Sequence, residues 1–206
     1  MEKGNTKQEI LDAALSLFST QGFEATSVSE IANAVGLRKA SLYSHFASKQ
    51  EILEALMTQV LEQYDKHSIF IHSDWDNDAF IEAKQNLSTE EVEALVLTQI
   101  RYILHDPLVS QARKMLTIEQ FRNTQMAELQ TKQNYSNVMK YFTSLMRFFI
   151  QRGKLKDCDA EVMAAQLCLP VSVWINLCDR EPEREEEVME LIKRHIRQFF
   201  KMYKVQ

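Results

Sequence analysis

Apolar residues recur three and four positions apart along most of this chain, which is the spacing of amphipathic helices rather than strands. The first run carries Ile10, Ala13, Ala14, Leu17 and Phe18 on one face, opened by a Thr6/Glu9 capping box and stopped at Gly22. A second box, Ser27 with Glu30, opens a helix whose apolar side is Val28, Ile31, Ala32 and Val35, and Gly36 ends it. The third helix is predicted from about Leu37 to Phe46, with Leu42 and Phe46 inward. Ser48 with Glu51 opens a long fourth helix carrying Ile52, Leu53, Leu56, Val60 and Leu61.

Residues 65–87 mix Asp, Asn, His and Ser with Ile69, Phe70, Trp75 and Phe80, and read as a helix end, a loop and a short helix. Ser88 caps a helix to about Leu104, and Asp106-Pro107 starts another to about Asn123. A long amphipathic helix follows to Arg152, stopped by Gly153. Asp159 opens a helix with Val162, Ala165, Leu169, Val173, Trp174 and Leu177, expected to kink at Pro170. The last helix spans about Glu183 to Tyr203. No strand pattern or internal repeat appears, so the fold class is all-α. The expected domains are a helix-turn-helix over residues 1–47 and a helical domain over 48–206.

Two short helices joined by a glycine turn suit DNA, because the second can lie in the major groove. The net charge of −5 argues against that partner only until it is divided by region. Residues 1–49 balance five basic against five acidic groups, whereas the rest carries 19 basic and 24 acidic ones. Arg38, Lys39 and Lys49 lie with His45 in a stretch that holds no acid. Local charge governs nucleic-acid binding, so the acidic total does not exclude it.

Other chemistries find little support. Cys158, Cys168 and Cys178 have no metal spacing and read as buried, reduced thiols of a cytosolic protein. No signal peptide is visible, and the stretch Leu167 to Leu177 reads as too short for a bilayer, broken by Pro170, Ser172 and Asn176. The chain is therefore expected to be cytoplasmic, without a membrane partner. Asp74, Asp76 and Asp78 alternate like a calcium loop, but Ala79 and Gln85 stand where that loop needs Gly and Glu. His67 and His72 are five apart and do not share a helical face, so no metal or cofactor is expected. No nucleophile elbow or glycine loop accompanies the Ser, His and Asp residues, so no enzyme is expected.

The first 53 residues resemble the TetR family of bacterial transcriptional regulators. The matching positions are Ile10, Ala13, Ala14, Leu17, Phe18, Gly22, Phe23, Thr26, Ile31, Ala32, Val35, Gly36, Leu42, Tyr43, His45, Phe46 and Lys49. The run Leu42-Tyr43-Ser44-His45-Phe46 followed by Lys49 is the most distinctive. The resemblance implies that Tyr43 and His45 donate to DNA phosphates. Thr26 and Ser27 sit at a helix N-terminus that favours a phosphate, and Lys49 is poised for another. Lys39 can reach base edges or backbone, while Ser41 and Ser44 are short enough for close approach. Arg38 replaces the family's small capping residue and is expected on a guanine edge or a phosphate. Ala40 replaces a common glycine, and its methyl can meet a thymine or narrow the approach.

The last two helices are apolar over a wide arc, which implies burial on two sides. The resemblance implies a four-helix homodimer interface there, drawing on Val162, Ala165, Leu169, Val173, Val188, Leu191, Ile192, Ile196 and Phe199. A two-fold dimer would read palindromic double-stranded operator DNA. Met115, Met139 and Met146, with Tyr102, Phe121, Tyr141, Phe142 and Trp174, suit a pliable pocket for a small-molecule effector, and at helical spacing they suit a plain core as well. His105 and Trp75 are polar-tipped candidates for the same pocket. Three readings follow: a ligand-responsive repressor acting through the fourth helix, a TetR-like DNA binder without an inducer, and a ligand-binding helical protein that does not bind DNA.

Overall fold

The computed structural model describes residues 3–67 and 88–205, apart from the side chains of residues 3–5, 65 and 67. The expected loop and short helix at 68–87, with Trp75, His72 and the three alternating aspartates, lie outside the described residues. Ten α-helices are described: α1 (Lys3–Gln21), α2 (Val28–Ala34), α3 (Lys39–Leu42), α4 (Lys49–His67), α5 (Thr89–His105), α6 (Pro107–Glu119), α7 (Thr124–Thr131), α8 (Asn137–Gln151), α9 (Ala160–Arg180) and α10 (Glu185–Tyr203). A π turn, Lys132–Ser136, precedes α8, and a 3₁₀ turn, Pro182–Arg184, precedes α10. Among the described residues the only β pairing is an isolated bridge between Leu155 and Lys204. The fold class is all-α, as the periodicity implied.

Several helix starts form as their caps predict. Ser27 and Glu30 make a complete capping box. Ser88 and Glu91 make another, with Ser88 N donating to Glu91 Oε2 at 2.7 Å and Glu91 N to Ser88 Oγ at 3.1 Å. Asp106 Oδ1 accepts the Val109 N–H at 2.9 Å, and Asp159 Oδ1 accepts from Glu161 N and Val162 N. The Ser48 box is altered: Glu51 N donates to Ser48 Oγ, but the Glu51 carboxylate takes the N–H of Ala47 instead of Ser48. Thr6 does not open α1, which already runs from Lys3, so Thr6 is a buried residue inside the helix.

The helices separate into two compact units. The first gathers α1 to α4 with α6 and with α7 as far as Gln130. Its core joins Ile10, Ala14 and Phe18 of α1 to Ile31, Leu42 and Phe46, to Ile52, Leu53 and Leu56 of α4, and to Met115 and Leu116 of α6. Phe18 is fully buried and meets Phe23 edge-on at 5.2 Å. Each such buried side chain contributes about 1.5–3 kcal/mol of transfer free energy.

The second unit holds α5, the π turn and α8 to α10. Met139, Phe142, Met146 and Phe149 of α8 pack with Met163, Leu167 and Cys168 of α9 and with Val188, Ile192 and Phe199 of α10. Arg197 of α10 forks onto the buried Glu93 of α5, at 2.7 and 3.0 Å. The helix α9 passes through Pro170 without interruption and reaches 21 residues. By length and composition alone it could cross a bilayer, a test that the core helix of a soluble protein also passes. In the second unit its Met163, Ala164, Leu167, Cys168 and Cys178 are buried.

Candidate nucleic-acid interface

The recognition segment is built from the turn outward. The helix α2 ends at Val35, and Gly36 follows at φ +68°, a left-handed conformation that a side chain disfavours. Leu37 N then donates back to Ala32 O at 2.8 Å, which closes the turn. The helix α3 is shorter than the expected Leu37–Phe46 span: its α-helical part is Lys39–Leu42. A tighter turn completes it, with Ser44 N bonding Ser41 O and both His45 N and Phe46 N bonding Leu42 O.

Its two faces are sharply divided. Leu42 at 0% and Phe46 at 4% exposure anchor it in the core of the first unit. Arg38, Lys39, Ala40, Ser41, Tyr43 and Ser44 are exposed, and His45 is half-buried. Arg38 occupies the position before α3 and makes no side-chain capping bond, as expected for a long cationic residue there. Its guanidinium is left on the surface beside Lys39. Ser44 Oγ donates to Ser41 O at 2.7 Å, so its lone pairs are the part still open to a partner.

Three expected phosphate contacts have other partners. Thr26 is 1% exposed, its hydroxyl donating to Gly22 O at 2.8 Å and accepting from Gln21 Nε2 at 3.1 Å. Its side chain is thus inside the α1–α2 loop and away from solvent. Ser27 is exposed, but its hydroxyl accepts the Glu30 N–H while its own N–H goes to Glu30 Oε2 at 2.7 Å. That backbone donor, and then the hydroxyl, hold the Glu30 carboxyl below the ordinary carboxylate range. Lys49 Nζ donates to Phe23 O at 2.6 Å and Thr26 O at 2.9 Å, with Glu24 O at 3.4 Å and the Phe23 ring centroid at 4.2 Å. The ammonium fastens the α1–α2 loop to the start of α4. Nothing in the sequence showed this, because its partners are backbone carbonyls.

The pocket candidates do not converge within one unit. Met115 is at 0% exposure in the core of the first unit, and Phe121, beyond the end of α6, is 89% exposed. Tyr102, His105, Tyr141, Phe142 and Trp174 lie in the second unit. Tyr141 and Phe142 are buried core, and burial pushes the Tyr141 phenol upward in pKa. Trp174 meets His195 edge-on at 5.2 Å, and His105 Nε2 pairs with Glu185 Oε1 at 2.9 Å. The second unit has an open groove of about 420 Å³ lined by Arg101, Glu185, Glu186, Met189, Glu190 and Lys193, none of them a predicted pocket residue.

The interface candidates also divide. Val188, Ile192, Ile196 and Phe199 are at 0–4% exposure inside their own unit, which removes them from any face offered to a second copy. Val162 at 51% and Val173 at 63% are exposed on α9, with Ala165, Leu169 and Leu191 half-buried.

A core-anchored pair of short helices, turned by a left-handed glycine and presenting a basic polar face, defines a helix-turn-helix DNA reader. The family model described as "Bacterial regulatory proteins, tetR family" matches residues 10–56. Over its helix-turn-helix segment the chain is thus similar to the TetR family. It is 34% identical over 93 residues to the HTH-type transcriptional repressor KstR2 of Rhodococcus jostii, covering 45% of this chain and 46% of that one. It is 48% identical over 48 residues to IcaR of Staphylococcus aureus, a negative transcriptional regulator of the biofilm operon icaADBC, covering 23% and 26%. The chain thus spans less than half the length of these curated relatives. The structure of SmeT from Stenotrophomonas maltophilia, the repressor of a multidrug efflux pump, superposes with a TM-score of 0.63 at 19% identity, over 97% of this chain and 91% of SmeT. That likeness extends the shared fold beyond the helix-turn-helix to the helical C-terminal part.

Proposed function

We propose that this protein is a ligand-responsive transcriptional repressor that binds palindromic operator DNA as a homodimer. The observation that carries the reading is the division of α3: a core-anchored side, Leu42 and Phe46, backs an exposed side with Arg38, Lys39, Ser41 and Tyr43. Arg38 and Tyr43 can donate to phosphates or base edges, and Ser41 lets the backbone come close. The names of KstR2 and IcaR as repressors support the sign of regulation. A structure of SmeT in complex with triclosan supports a small-molecule effector. The effector would favour a conformation that does not fit two successive grooves, and nearly complete release requires about 5.5 kcal/mol of differential affinity.

The test is Arg38→Ala combined with Lys39→Ala on a duplex from the protein's own upstream region. Affinity should fall, and the slope of log K against log salt should shrink by about 0.9 for each phosphate no longer neutralised. Unchanged affinity and slope would remove α3 as the reading element. A second reading, a DNA binder without an inducer, draws on Tyr141, Phe142 and Met146, which are 6%, 8% and 0% exposed and pack as core. Operator affinity that stays constant across a panel of apolar and aromatic small molecules would favour it.

A further inference from the structure

Glu119 ends α6, and its side chain is 1% exposed. A carboxyl at a helix C-terminus opposes the helix dipole, which favours cations there. Burial adds a further cost unless the group finds a hydrogen-bond partner. The partner lies on another element of the same unit: Oε1 accepts the Phe23 N–H at 2.8 Å, 96 residues away in sequence. Gly22 makes the room for this approach. Its φ is +89°, and a Cβ built on it would stand 2.6 Å from Glu119 Oε1 and 3.2 Å from Ile118 Cγ2. The loop that leaves α1 is therefore shaped around the end of α6.

The other side of that loop is held by α4. Phe23 gives its N–H to Glu119 and accepts Lys49 Nζ on its carbonyl at 2.6 Å. Thr26 closes the loop internally by donating to Gly22 O. Residues 22–26 are thus fixed from α6 and from α4, and α2 begins directly after them. The direction in which α2 leaves this loop sets the pose of α3.

We propose that Glu119 is a positioning residue for DNA recognition: by accepting the Phe23 N–H it fixes the Gly22–Thr26 loop, and so the pose of α2 and α3. It does not touch DNA. The proposal rests on the DNA-binding reading above, and its test separates the two. Glu119→Gln keeps an oxygen acceptor of the same reach, whereas Glu119→Ala removes it. Each variant is compared with wild type at matched helical content, by amide exchange at Phe23 and by affinity for the duplex protected upstream.

In Glu119→Ala, Phe23 exchange should rise and operator affinity should fall about tenfold, the equivalent of one net hydrogen bond. Glu119→Gln should stay within about twofold of wild type in both, since the acceptor survives. Gly22→Ala should cost less operator affinity in the Glu119→Ala background than alone, because the 2.6 Å contact is gone. Wild-type Phe23 exchange in Glu119→Ala overturns the proposal. So does faster exchange with unchanged affinity, and so does a Glu119→Gln variant that falls as far as Glu119→Ala. If the wild type binds no operator, the DNA-binding reading fails, while Phe23 exchange still judges the Glu119 contact.

Discussion

Lys49 shows how a residue's position can be legible while its partners in the folded chain are not. Its place in the first turn of α4 was legible, but its partners are the carbonyls of Phe23, Glu24 and Thr26, and backbone carbonyls leave no trace in a residue pattern. Replacing it with Met should lower unfolding free energy by about 1–3 kcal/mol in urea titrations, because buried carbonyls lose their donor. A variant as stable as wild type would show that water replaces the ammonium without loss. Glu119 was illegible for a related reason, since its partner Phe23 is 96 residues away and no local signal joins them. The cysteines were expected to be buried, and they differ in environment. Cys158 is exposed, while burial raises the Cys168 thiol to about 11. A thiol reagent at neutral pH should label Cys158 alone in the native protein, and rapid labelling of Cys168 would contradict the buried core around it.

Helix starts were the most legible elements, because a capping box is a contact between residues three apart. Ser27/Glu30 forms as its spacing predicts, and Ser88, expected only as a cap, is joined by Glu91 in a second box. Thr6/Glu9 has the same letters but lies inside a helix that begins three residues earlier, which a local pattern does not reveal. Ser27→Ala should cost about 1 kcal/mol of stability, typical of removing an N-cap. The boxes also imply a pH dependence. Glu30 and Glu91 have folded-state values depressed below the ordinary 4.5 by the Ser27 and Ser88 donors, so their contribution is present above that value. It is lost as pH falls through the depressed values, so acid titration of unfolding should steepen below about 4.5. Ser27→Ala with Ser88→Ala should flatten that limb only in part, because the backbone donors remain; Glu30→Gln with Glu91→Gln should flatten it further, and a limb unchanged in that second pair would assign it to other carboxylates. The width of the apolar stripe on α10 was legible too, but not the side it faces: Val188, Ile192, Ile196 and Phe199 all turn into their own unit.

For the whole molecule, the proposed homodimer would draw on the apolar surface that α9 leaves exposed. Val162 and Val173 are exposed one helical face apart from the buried Met163 and Leu167. Val162→Asp with Val173→Asp should move sedimentation toward a monomer and weaken operator binding, while helical content holds. A dimer of unchanged stability would place the interface elsewhere. The likeness to the family and the all-α fold were readable from the first helices onward, because packing constrains that segment closely. The proposed effector site was not, since side chains suited to a pocket and side chains suited to a core are the same types. The most direct test of the central claim is a footprint on the protein's own upstream region. A symmetric protected site, abolished by Arg38→Ala with Lys39→Ala, is the expected result; no protection by the intact protein at low salt would contradict it.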